Sequence, residues 1–142
     1  MAAINTYLTF NGDCEKAFLL YQSVLGGQIL QMAYFRDIPD TLPEDAEKVM
    51  HVSMKIGEQS ILMGSDSTVQ HGGVVTPGDN FSISVNAASK EEADIIYNGL
   101  SDRGTTTMPM ADTFWGAYFG MLKDQFGINW MVNFDYPHAH QQ

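Results

Sequence analysis

The 142-residue chain holds one cysteine, Cys14, so it has no internal disulfide and needs no oxidising compartment to fold. Basic residues are also scarce: 7 Lys and Arg stand against 17 Asp and Glu, a formal charge of −10. That average field repels a phosphate backbone or an anionic bilayer, so neither nucleic acid nor membrane is expected as a partner. No apolar run approaches the roughly 20 residues of a membrane span. Residues 1–5 carry neither the basic cluster nor the apolar stretch of a leader. A soluble, unexported, cytoplasmic protein is the expectation. The chain also lacks a G-x-G-x-x-G turn, the usual phosphate cradle of a nucleotide-type cofactor, and no cofactor is expected. Apolar material is plentiful: 44% of residues are hydrophobic, with 8 Phe, 6 Tyr and 2 Trp, enough to fill the core of one domain.

An internal repeat organises that material. Ala17, Leu20, Tyr21 and Val24 have the spacing of one apolar helical face, and Ala93, Ile96, Tyr97 and Leu100 repeat it 76 residues later. Before each helix lies an alternating, strand-like segment, residues 5–11 and 80–86; in the second, Phe81, Ile83 and Val85 share one face. Ser89 and Glu92 form a capping box at the start of the second helix. Further strand-like runs follow each helix: 28–35, 49–56 and 59–63, then 106–110, 115–122 and 128–134. Gly57-Glu58 and Asp124-Gln125-Phe126-Gly127 supply turns. The proline-bearing acidic stretch 36–47 reads as a loop with one helical turn. One domain is thus expected over 1–142, with a first module at about 1–66, a Gly-rich connector at 67–78, a second module at about 79–135 and a tail at 136–142.

The element order and several phrases resemble the PhnB-like branch of the vicinal oxygen chelate superfamily, the glyoxalase, bleomycin-resistance and extradiol dioxygenase group. The phrases are Tyr7-Leu8-Thr9-Phe10-Asn11-Gly12, Ala17 to Tyr21 with Leu25-Gly26-Gly27, His51 with Ile56-Gly57, Leu62-Met63-Gly64-Ser65-Asp66, Phe114-Trp115-Gly116, and Asp124 to Gly127 with Trp130. The resemblance implies an α+β fold of two βαβββ modules whose curved mixed sheets form a cup, in a homodimer. Relatives in this branch carry a 3-demethylubiquinone methyltransferase name, which the missing glycine-rich turn does not support.

Metalloenzymes of the superfamily draw His and Glu ligands from the first and last strand of each module. Here those positions resemble Asn5 and Asn80 (Thr6 and Phe81 if the register slips by one), with Ile61 or Met63, and Met131. None is an imidazole, thiolate or carboxylate, so no metal is expected there. His51 alternates with Met50, Val52, Met54 and Ile56 and so points with Ser53 into the cup. Its three readings are a histidine satisfied by polar neighbours, a ligand contact, and a lone metal ligand. Tyr7, Met63, Ser82, Trp115, Phe119, Met131 and Asn133 fall on the same side, an apolar and aromatic wall with scattered polar groups; core or interface packing is the other account of these aromatics. Asp66 either pairs with His51 or caps a turn. Met50 and Met54 read as core, His71 as solvated connector, the pair His138 and His140 as an accident of the tail, and Cys14 as structural.

The function expected is metal-independent binding of a small, largely apolar or aromatic molecule, with catalysis left open. Its rival is a divalent-metal lyase, isomerase or dioxygenase with a non-standard ligand set, His51 with Asp66 for instance.

Overall fold

The computed structural model describes residues 2–137, so the His138 and His140 pair lies outside the described residues. The chain forms two compact units, Met1–Thr76 and Pro77–Gln142. In the first, β1 (Thr6–Phe10) leads into α1 (Cys14–Leu25), followed by β2 (Gln28–Tyr34), β3 (Val49–Ile56) and β4 (Ser60–Asp66). In the second, β5 (Ile83–Asn86) leads into α2 (Lys90–Ser101), followed by β6 (Thr105–Asp112), β7 (Ala117–Lys123) and β8 (Asn129–Asp135). Each unit holds a four-stranded mixed sheet, in the orders β1-β4-β3-β2 and β5-β8-β7-β6. In each, the first and last strands pair in parallel and the other pairs are antiparallel.

The repeat residues build the two cores. Ala17, Phe18 and Tyr21 on α1 are fully buried over Leu8, Phe10, Val52 and Met54; Ala93, Tyr97 and Leu100 on α2 are buried over Leu122, Trp130 and Val132. Close approach of helix to sheet needs a glycine in each sheet, on β4 in the first unit and on β7 in the second. A Cβ on Gly64 would stand 2.7 Å from Phe18, and one on Gly120 would stand 2.9 Å from Tyr97.

The two helix starts are satisfied differently. Ser89 Oγ accepts the Glu92 N–H at 3.0 Å, and Glu92 reaches back to the Ala88 N–H at 2.7 Å, one residue beyond the expected partner. Asp13, at the cap of α1, makes no side-chain cap bond. Asp66, from the far end of β4, accepts the Gly12 and Cys14 N–H groups at 2.9 and 3.0 Å instead.

Strand ends depart from the sequence expectation by two residues or more in four places. β4 runs on to Asp66, β5 begins only at Ile83, β6 runs on to Asp112, and β7 begins at Ala117 rather than at 115. Gly116, at φ 89°, closes the turn before β7, where its carbonyl accepts the Tyr136 N–H. The acidic loop holds two 3-10 turns, Phe35–Asp37 and Pro43–Asp45, rather than one. No helix among the described residues is long and apolar enough to cross a membrane.

Candidate functional site

The face of the first sheet turned away from α1 carries the candidate residues of the first unit. Register sets Tyr7 beside Met63, Met63 beside Ser53, and Ser53 beside Gln31, one row across four strands. His51 lies two residues along β3 from Ser53, on the same face. Its Nδ1 shares a hydrogen bond of 3.2 Å with the Tyr7 hydroxyl, and the two rings stack with centroids 5.7 Å apart. Tyr7 is 47% exposed, so the pair meets solvent rather than the core. Of the two partners weighed for Asp66, the structure supplies neither His51 nor a local turn. Its carboxylate lies on the helix side, 4% exposed, and holds Gly12, Cys14 and, at 2.9 Å, the Val49 N–H.

That last bond coincides with a break in alternation. Ala33 pairs with His51 but Tyr34 pairs with Val49, so β3 carries one extra residue, Met50, at a bulge. Val49 is fully buried, and Met50, expected in the core, lines a cleft instead. The cleft, of about 240 Å³, is bounded by Thr9 and Ser65 on the sheet, Phe35 and Ile38 on the loop, and His71. His71 is exposed, as expected of the connector, and also makes specific contacts. Its ring lies 5.3 Å from that of Phe35, and its Nδ1 is 3.1 Å from Thr68 Oγ1. The cleft escaped sequence reasoning because it is closed by the loop and connector, whose positions alternation does not encode. Thr9 and Ser65, on the His51 side of their strands, were the available signal.

On the second sheet, Phe119 pairs with Asn133 and Met131 with Ser84, on the face away from α2. The Asn133 amide donates to Asn86 and Asp135, which leaves its carbonyl oxygen as an acceptor. Ser82 precedes β5 and Trp115 lies in the turn before β7, so strand alternation positions neither of them. The Trp115 ring nevertheless meets Phe119 edge-on at 6.2 Å and Phe114 at 5.0 Å.

Among the described residues no group of three or more His, Cys, Asp or Glu side chains is placed to hold a metal ion. The donor set does not fit a divalent transition metal: Met63 and Met131 occupy the last-strand positions, and a thioether is a poor ligand for zinc, nickel or ferrous iron. Cys14 offers no alternative. It is fully buried, and burial, with the nearby Asp66 and Glu15 charges, pushes its thiol pKa up and keeps it protonated.

The family model described as 3-demethylubiquinone-9 3-methyltransferase matches residues 2–133. The chain belongs to this family. It is 38% identical to protein PA1353 from Pseudomonas aeruginosa, whose crystal structure superposes with a TM-score of 0.85 over 95% of this chain and 98% of that one. The PhnB protein from Bacillus cereus is 27% identical, with a TM-score of 0.77 over 94% of this chain and 99% of its own. Protein YjdN of Escherichia coli (strain K12) is 28% identical, over 92% of this chain and 93% of its own. A glyoxalase/bleomycin resistance protein/dioxygenase family enzyme from Burkholderia phytofirmans, 17% identical with a TM-score of 0.64 over 94% of this chain and 100% of its own, shares the fold. This member of the PhnB-like branch thus has the α+β glyoxalase/bleomycin-resistance fold, built as two βαβββ units.

Proposed function

We propose that this PhnB-like protein binds a small, largely apolar or aromatic molecule without the aid of a metal. One observation carries the reading: an exposed Tyr7–His51 pair on a sheet face whose neighbours are Met63 and Ser53 rather than further metal ligands. Stacked rings offer a flat apolar contact, and the imidazole Nε2 remains for one directed hydrogen bond. Phe119, Met131, Asn133 and Ser82, with Trp115 edge-on to Phe119, extend the same chemistry on the second unit. Methyl transfer, the activity in the family's description, has no support in the residues, since a nucleotide-type donor meets no glycine-rich cradle here.

Titration with 1-naphthol, a neutral fluorescent aromatic, tests the site. His51→Ala removes one hydrogen bond and one stacking face and should weaken binding about fivefold, the equivalent of about 1 kcal/mol. Trp115→Ala should act in the same direction. Unchanged affinity in both variants would remove the assignment. Elemental analysis of untagged protein, exposed to zinc, nickel, manganese and ferrous iron and then dialysed, should find no stoichiometric ion; about one per chain, lost in His51→Ala, would establish the metal-dependent rival.

The reading includes a homodimer. Each small sheet ends in outer strands with unpaired backbone groups, and Phe114 is 97% exposed on an acidic chain. Sedimentation at micromolar concentration should return twice the chain mass, and a monomer would contradict it.

A further inference from the structure

We infer that the cleft of the first unit is a subsite for a neutral, oxygen-bearing single ring, a phenol or a cyclic ketone, and that His71 is its specificity-setting wall. The inference rests on the small-molecule reading above but uses other residues.

Size sets the first limit. At about 240 Å³ the cleft falls below the roughly 300 Å³ at which drug-sized pockets begin, which suits one substituted ring. Its walls set the second. Phe35, Ile38 and Met50 are apolar, and the tilted Phe35–His71 contact presents an aromatic edge. Thr9 and Ser65 are register partners on the parallel β1–β4 pair, so their backbones stand one strand spacing, about 4.8 Å, apart and both side chains leave the same face. Neither hydroxyl is engaged by another side chain among the described residues. Two adjacent hydroxyls, each donor and acceptor, match an edge that carries one or two oxygens.

Charge sets the third limit. No Lys or Arg lines the cleft, and the carboxylate that reaches it, Asp66, has its oxygens occupied by three backbone N–H groups. A carboxylate or phosphate ligand would meet no counter-charge on a chain of net −10, whereas a neutral oxygen meets two hydroxyls.

The His71 wall is held in place before any ligand arrives. Thr68 exchanges two backbone hydrogen bonds with His71 and accepts a third from the Gly73 N–H. Ser67 Oγ faces the carbonyls of His71 and Gly73. Gly72 and Gly73, at φ 98° and 67°, make the reversal that only glycine adopts easily. With Nδ1 facing Thr68 Oγ1, Nε2 is the ring nitrogen left for a ligand oxygen.

The test is titration of the full ¹⁵N-labelled chain with phenol, and in parallel with benzoate, followed by amide chemical shifts. Phenol should give saturable shifts at Thr9, Ser65 and His71. His71→Ala and Ser65→Val should each weaken it about fivefold, and benzoate should bind about tenfold more weakly. His71→Gln, which keeps a polar side chain but loses the ring, replaces His71→Ala if that variant disturbs amides beyond the connector. Saturable shifts confined to Tyr7, His51, Ser53 and Met63, with the His71 and Ser65 variants unaffected, would overturn the subsite and leave the binding reading intact. Benzoate binding as tightly as phenol would overturn the neutral class. Phenol and 1-naphthol both failing to bind anywhere would overturn both.

Discussion

Replacing Asp66 should cost more stability than replacing any residue of the exposed face, and the structure gives the size. The Cys14 and Val49 N–H groups that it holds are buried, while the Gly12 group is only part-buried. A buried donor left unmade costs about 1–3 kcal/mol. Asp66→Ala therefore loses about 3–5 kcal/mol, with Gly12 adding little because water can reach it. Against a typical domain stability of about 5–15 kcal/mol, that is a large fraction. Asp66→Asn is close in shape and keeps one acceptor, but sets an amide N–H₂ against a backbone N–H, for about 1–3 kcal/mol. The order wild type, Asn, Ala should appear in urea unfolding followed by far-UV circular dichroism. Tryptophan fluorescence is the poorer probe, since Trp115 and Trp130 both belong to the second unit. A loss below about 1 kcal/mol in Asp66→Ala, or equal stability of the two variants, would refute the account. So would a changed His51 NMR titration with unchanged stability, the outcome expected if Asp66 served the histidine.

Gly64→Ala should destabilise by about 1–3 kcal/mol in the same assay, because the new methyl meets the Phe18 ring at 2.7 Å and the Leu8 carbonyl at 2.9 Å; a neutral substitution would show that α1 can move away. Tyr118 donates to Asp94 at 2.6 Å, and this hydrogen bond, with burial, pushes its pKa up to about 12 from 10. The folded state then holds a proton that the unfolded state releases first. The contribution is complete below pH 10 and is lost as the pH rises through about 12. Asp94→Asn should flatten that alkaline decline, and an identical decline would refute the link. Cys14 should react with a thiol reagent only as fast as the native fold opens, and at once in concentrated guanidinium chloride; rapid labelling of the folded protein would contradict its burial.

Much of the fold is legible because it follows from period and local caps. Tyr21 and Tyr97 mark both helices by spacing, Ser89 and Glu92 mark the start of α2, and β3 occupies the expected 49–56. What escapes depends on partners distant in sequence. Val49 turns inward where its N–H meets Asp66, 17 residues on, and Met50 turns out of the core in compensation. Trp115 precedes β7 and continues its alternation pattern, yet the Gly116 turn takes it out of the strand. His71 reads as solvated connector in a Gly-rich run, and only the closed loop from Ser67 to Gly73 brings it against Phe35. The Tyr7–His51 pair was half legible: alternation put both on one face, but their contact crosses the intervening strand β4, which requires the sheet order.

The two units show where a duplicated scaffold is held fixed and where it is free. The helix side keeps alanine and tyrosine at the same places in each unit, and each sheet has a glycine beneath its helix, on β4 in one and β7 in the other, because close packing leaves little tolerance for added volume. The opposite faces have diverged. Beside the methionine of the last strand, Tyr7 stands next to Met63 in the first unit, while Ser84 stands next to Met131 in the second. Among the described residues no histidine on the second face corresponds to His51; beside Met131 and Phe119 stand the Ser84 hydroxyl and the Asn133 amide, the latter bonded to the Asp135 carboxylate. On the proposed reading the imidazole hydrogen bond to a ligand belongs to the first unit, and apolar contact is common to both. It follows that His51→Ala and Met131→Ala should fail differently. The first should remove the preference for a ligand that carries an oxygen, while the second should weaken an aromatic hydrocarbon and its hydroxylated counterpart equally. Naphthalene and 1-naphthol titrated in parallel separate the two, and equal losses in His51→Ala would mean that its ring, rather than its nitrogen, is what the ligand meets.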